Sequence, residues 1–152
     1  GDHRDLLSFP TRRSSDLTEC FNSLSHLVNF KYPGRGNMVL KKMSDINPDS
    51  MSGRIHMAWG SFYAILPGFF GGDIKKSEEE FSKAVKIGPD TLVNYYTRAR
   101  YLDVEKGDKA AFKKDLESVI SSDINKNKID YPWNFGYQMK AKELLVQGDK
   151  LF

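Results

Sequence analysis

Apolar side chains along the middle of this chain recur with the period of a helix. Ile55, Ala58, Trp59, Phe62 and Leu66 fall at i, i+3, i+4, i+7 and i+11, a continuous stripe along one helical face. Pro67 predicts the end of that helix, Gly68 to Gly72 a loop, and Asp73 the N-cap of the next helix. Ile74, Ser77, Phe81, Ala84 and Val85 form its inward face, and Gly88-Pro89 closes it. The pattern is then written again. Leu92, Tyr95, Tyr96, Ala99 and Leu102 copy the first stripe, Gly107-Asp108 copies Gly72-Asp73, and Phe112, Leu116, Val119 and Ile120 copy the second stripe.

A weaker copy precedes both. Glu19 to Phe30 predicts a helix with Phe21, Leu24, Leu27 and Val28 on one side. Lys31 to Gly36 predicts a turn through Pro33, Gly34 and Gly36, and Asn37 a cap for a helix that buries Val39, Met43 and Ile46 before Pro48. Pro33 and Pro67 lie 34 positions apart, and a tetratricopeptide repeat spans about 34 residues. After a polar linker from Ser121 to Tyr131, Pro132 suits the first turn of a last helix. Its stripe is Tyr137, Ala141, Leu144 and Leu145, and Lys140, Lys142 and Glu143 give it the polar outer face of a solenoid cap. The expected fold is all-α and tetratricopeptide-like, with about three helix pairs and a C-terminal capping helix in a single domain over residues 18–152.

Residues 1–17 do not share this pattern. Ser8 to Leu17 resembles one reading frame of a synthetic sequencing adapter. The segment is expected to be non-native and disordered, since it offers no apolar face to bury. The true N-terminal signal is then not visible.

Composition narrows the function. Hydrophobic residues make up 39% and charged residues 28% of the chain, and the formal net charge is +3. These are the proportions of a globular domain. No block of like charge argues for nucleic acid, and no apolar run approaches the roughly 20 residues of a membrane helix. Cys20 is the single cysteine, so no internal disulfide forms; among Phe21, Leu24 and Leu27 it reads as a small buried hydrophobe.

Chemistry is sparse. No His pair or Cys cluster has metal-ligand spacing, and no cofactor is expected. Asp123, Asn125, Asn127 and Asp130 lack the glycine and terminal glutamate of a calcium loop and read as solvated linker. His56 reads as structural beside the stripe; a cavity joining it to a carboxylate would reopen an enzyme reading, which is otherwise set aside. Gly71-Gly72 before a helix suits an anion, but Asp73 would repel it. The remaining signal is aromatic. Phe69 and Phe70 are adjacent in a glycine-bracketed loop, where one is expected to pack into the helix junction and the other to cover the core edge, unless an aromatic faces a ligand or partner. Tyr63 and Tyr101 fall off the main stripes. Tyr63, Phe69, Phe70 and Tyr95 are the candidate ligand- or partner-binding residues. Pro67, Gly71, Gly72, Asp73, Gly107 and Asp108 are the candidate loop and cap residues.

From Ile46 to Phe152 the order of features resembles the T-component of tripartite ATP-independent periplasmic (TRAP) transporters. The resemblance rests on Leu66-Pro67, Gly71-Gly72-Asp73, Phe81 with Ala84, Ala99, Asp108 with Phe112, Leu116 with Val119, and Ala141 to Leu145. It implies a non-catalytic, extracytoplasmic binding protein, typically lipid-anchored. It also implies a homotrimer with an apolar ligand-binding pore and association with the solute-binding P-subunit. The alternative is a generic tetratricopeptide scaffold that recognises a protein or peptide.

Overall fold

The computed structural model describes residues 33–152. Among them are six α-helices and no strand: α1 (Pro33–Ile46), α2 (Arg54–Ile65), α3 (Ile74–Ile87), α4 (Leu92–Arg98), α5 (Lys109–Ser121) and α6 (Tyr131–Gln147). The chain divides into two compact units within α1, at Val39/Leu40. The expected helix over Glu19 to Phe30, Cys20 and the first 17 residues all lie outside the described residues. The expected turn over Lys31 to Gly36 is corrected where it is described. Helix α1 begins at Pro33, and Asn37 lies inside it, because proline is favoured at the first helical position, where its missing N–H costs nothing. Ile46, expected to be buried, is exposed. It is the last residue of α1, and the residues that face inward, Leu40 and Ser44, lie in the turns before it.

Within the unit from Leu40 to Phe152, α2 packs along α3 and α4 along α5. Helix α4 also meets α2 and α3, and α6 meets α4 and α5. Each hairpin thus covers the apolar side of the one before it. The stripes read from the sequence form the core: Ile55, Ala58, Phe81, Ala84, Leu92, Ala99, Phe112, Leu116, Val119 and Ala141 are all buried. Burial of each of the Ile, Leu, Val and Phe side chains among them contributes roughly 1.5–3 kcal/mol. Close approach of α2 and α3 requires Gly60, whose Cα faces the Phe81 ring so tightly that a Cβ would stand 2.7 Å from it.

Amide side chains stitch successive hairpins. Asn94 of α4 donates to the Ala84 carbonyl at the end of α3 and to the Ser52 carbonyl, both at 3.0 Å. Gln138 of α6 does the same for α5, donating to the carbonyls of Val119, Ile120 and Ser122 at 3.1, 3.2 and 2.7 Å. The last carbonyls of a helix have no partner within it. In both hairpins the following helix supplies one. Asp130, buried at the start of α6, accepts from Arg54, from Thr91 (3.0 Å) and from Asn127 (2.8 Å), joining the starts of α2, α4 and α6.

Helix α4 does not stop at Arg98. It widens into a π turn over Ala99–Asp103 and closes at Gly107. Gly107 has φ 67°, the Asp108 N–H donates to the Asp103 carbonyl and the Gly107 N–H to Val104. This is the Schellman ending, which needs a residue that tolerates positive φ. Asp108 then caps α5, accepting from the Ala111 N–H at 2.9 Å.

Candidate functional site

Two features stand out from this frame: an aromatic loop between α2 and α3, and a charged cleft among α3, α4 and α5.

The loop is built rigidly. Pro67 opens a short 3-10 turn over Gly68–Phe70. The N–H groups of Phe70 and Gly72 both donate to the Pro67 carbonyl, at 2.9 and 3.1 Å, and the Asp73 N–H donates to Tyr63 at 3.0 Å. Gly71 takes φ 96°, and a Cβ on Gly72 would overlap the Leu66 carbonyl at 1.6 Å. Asp73 then caps α3, accepting from the N–H groups of Lys75 and Lys76; the Lys76 N–H bond, with the Lys76 charge beside it, holds its carboxyl below the usual range. On this loop Phe69 is 82% and Phe70 54% exposed, with their rings 4.4 Å apart. Phe69 thus presents most of its surface outside the helix junction, while Phe70 is about half covered.

Tyr63 stands at the base of the loop. It stacks on Trp59 at 5.8 Å, meets Phe62 edge-on at 5.8 Å, and lies beneath the Lys76 ammonium. Trp59 is anchored by its indole N–H to Ser44 at 2.7 Å. Tyr95 belongs to a different neighbourhood. It is half-buried beside the Arg98 guanidinium, and burial pushes its hydroxyl above the ordinary value. The four candidate residues therefore fall into two groups.

The cleft has a volume of about 400 Å³. Glu78 and Ser82 of α3, Arg98, Leu102, Asp103 and Lys106 of the α4 segment, and Ala111, Lys114 and Asp115 of α5 line it. Arg98 grips Asp115 through two hydrogen bonds of 2.6 and 2.7 Å, and these bonds raise the guanidinium further above its ordinary value. Lys106 pairs with Glu78. Asp103 differs: only 4% of it is exposed, and its Oδ2 is buried without a hydrogen-bond partner. Burial, then the neighbouring Asp115 charge, push its carboxyl up to about 7, against the opposing pull of Arg98. The sequence reading missed this cleft. The one local signal was a carboxylate directly after the stripe residue Leu102. π turns, which often mark functional sites, leave no reliable trace in residue order.

His56 is also recast. It is buried, with Nδ1 2.6 Å from Glu80 and Nε2 3.2 Å from Asp49. Burial alone would raise the Glu80 carboxyl, but hydrogen bonds from Lys83 and His56 outweigh it and hold it low. A cavity holding His56 together with a carboxylate was the condition for reopening an enzyme reading. The cleft among α3, α4 and α5 is lined by neither His56 nor its two carboxylate partners. Among the described residues no group of three or more His, Cys, Asp or Glu is placed to hold a metal ion, and no helix is long and apolar enough to cross a membrane.

Packed helical hairpins with no strand among the described residues define an all-α protein, an arrangement consistent with helical repeats. The sequence model of the TRAP transporter T-component family matches residues 32–152. The chain belongs to that family and is thus a component of a TRAP-type transporter. No curated protein matches the chain.

Proposed function

We propose that this chain is a non-catalytic, extracytoplasmic binding subunit that docks the solute-binding P-subunit through the Pro67–Asp73 loop. A solute or hydrophobic ligand lies against Tyr63, Phe69 and Phe70, with Tyr95 contributing from the next hairpin; a homotrimer and a lipid anchor belong to the same reading. The observation that carries it is the Phe69–Phe70 pair. Exposing two phenylalanines on a slack loop would mean little, but this loop is hydrogen-bonded throughout and closed by a capped helix. Aromatic side chains held outward on a rigid support are the usual anchors of protein interfaces. The family match weighs against a generic scaffold with no transporter link.

The experiment is the double substitution Phe69→Ala/Phe70→Ala, assayed for binding to a TRAP P-subunit by surface plasmon resonance. Affinity should fall at least tenfold while helical content and the melting temperature stay nearly unchanged, since exposed positions contribute within about 0.5 kcal/mol to stability. Unchanged affinity would place docking elsewhere. A collapse in melting temperature would make these rings part of the core.

A further inference from the structure

A buried polar atom without a partner is rare in folded proteins and calls for a reason. In this cleft the reason is local. Arg98 is committed to Asp115 by two bonds and Lys106 to Glu78, so the cations nearest Asp103 are already spent. Asp103 is fixed where it stands: its own carbonyl is held by the Asp108 N–H at the Schellman ending, and the π turn carries it inward beside the buried Leu102. The carboxyl sits at the C-terminal end of a helix, where the dipole disfavours negative charge, and it faces Asp115. Every local influence except Arg98 and Lys106 opposes its ionisation. Once ionised, a carboxylate in such a place is stabilised by a cation brought from outside.

We infer that the cleft among α3, α4 and α5 is a binding site for a small organic amine, whose ammonium group hydrogen-bonds to Asp103. An anion is disfavoured, because it would meet Asp103 at the floor while Arg98 and Lys106 are already paired. The carboxylates are not grouped to hold a metal ion. An ammonium group supplies N–H donors and a positive charge together, and a charge-assisted hydrogen bond in a site of low dielectric is among the stronger polar contacts. About 400 Å³ accommodates a compact molecule, whose short carbon chain would lie against Leu102 and Ala111. Lys114 at the rim selects against a second positive charge. The site is separate from the Phe69–Phe70 loop and stands whether or not that loop docks the P-subunit.

The test uses the whole chain, labelled with 15N, and three probes of the same size: propylamine, propanol and propanoate. At pH 8 and constant ionic strength, propylamine should give saturable amide shifts at Asp103, Val104, Asp108 and Ala111. Propanol and propanoate should give none. In Asp103→Asn the dissociation constant for propylamine should rise at least tenfold with the spectrum otherwise preserved. A second arm needs no variant. Affinity of the unaltered chain for propylamine should fall at least fivefold from pH 8 to pH 5.5, as Asp103 takes up its proton. The charged groups that face Asp103 are Arg98, Asp115, Asp108 and Lys106, with Glu78 and Lys114 on the cleft walls; none is a histidine. Equal shifts with propanoate, no saturable response to propylamine, or an affinity indifferent to both pH and Asp103→Asn would overturn the proposal.

Discussion

Arg98 and Asp115 meet across the interface of α4 and α5 through two nearly equal hydrogen bonds, and the Asp115 side chain is only 7% exposed. The pair is thus buried on its acidic side and partly hydrated on its basic side. Such pairs contribute little over a well-packed apolar pair, but breaking one leaves a stranded charge. Arg98→Met should therefore cost about 3–5 kcal/mol in urea denaturation. The double change Arg98→Met/Asp115→Leu should recover most of it. A single change costing under about 1 kcal/mol would show that water solvates Asp115 in place of the guanidinium.

Asp103 predicts a pH dependence of opposite sign to that of most carboxylates. Its folded value, about 7, lies above the ordinary 3.8, so between these values the folded chain holds a proton that the unfolded chain has released. Its contribution to stability is complete below about pH 4, falls as pH rises toward 7, and is lost above. One proton gives a slope of at most about 1.4 kcal/mol per pH unit. Denaturation midpoints from pH 4.5 to 8 should show this decline, and Asp103→Asn should flatten it. An identical slope in the variant would assign the effect to another group.

Gly60→Ala tests the fit of α2 on α3. In a free helix the change is favourable by roughly 0.5–1 kcal/mol. Here the new methyl would stand 2.7 Å from the fully buried Phe81 ring, and overpacking costs about 1–3 kcal/mol. The collision should win, giving a lower melting temperature. A rise would mean that the helices separate without loss.

Gln138→Ala removes the donor shared by Val119, Ile120 and Ser122. Unsatisfied carbonyls cost about 1–3 kcal/mol when water cannot replace the donor. Since Gln138 is half-buried, a loss near 1 kcal/mol is expected. Amide exchange should accelerate in the last turn of α5 and be unaffected in α3. Uniform acceleration across all helices would indicate a global rather than a capping role.

The helical stripes were legible because burial of Ile55, Phe81, Leu92, Phe112 and Ala141 follows from spacing within one helix. The starts of α3 and α5 were legible because Asp73 and Asp108 act on the backbone two or three residues away. What escaped depends on residues far apart in sequence. Nothing near Arg98 names Asp115 as its partner, and alternation of Lys with Glu and Asp reads equally well as a solvated face. At His56, the partners Glu80 and Asp49 lie outside its own helical turn. In the Pro33 segment, turn-forming residues were read as a break, although proline opens a helix as readily as it ends one. Phe69 and Phe70 could be located but not oriented, since the direction of a ring in a loop depends on the loop's own hydrogen bonds.

The stitching amides give the array a direction of dependence. Asn94 finishes the hairpin behind it, and Gln138 finishes the hairpin behind that residue's own helix. A ribosome releasing this chain from its N-terminal side would therefore leave each hairpin frayed at its trailing end until its successor emerged. A chain cut short before α6 would uncoil first in α5, one step upstream of the cut.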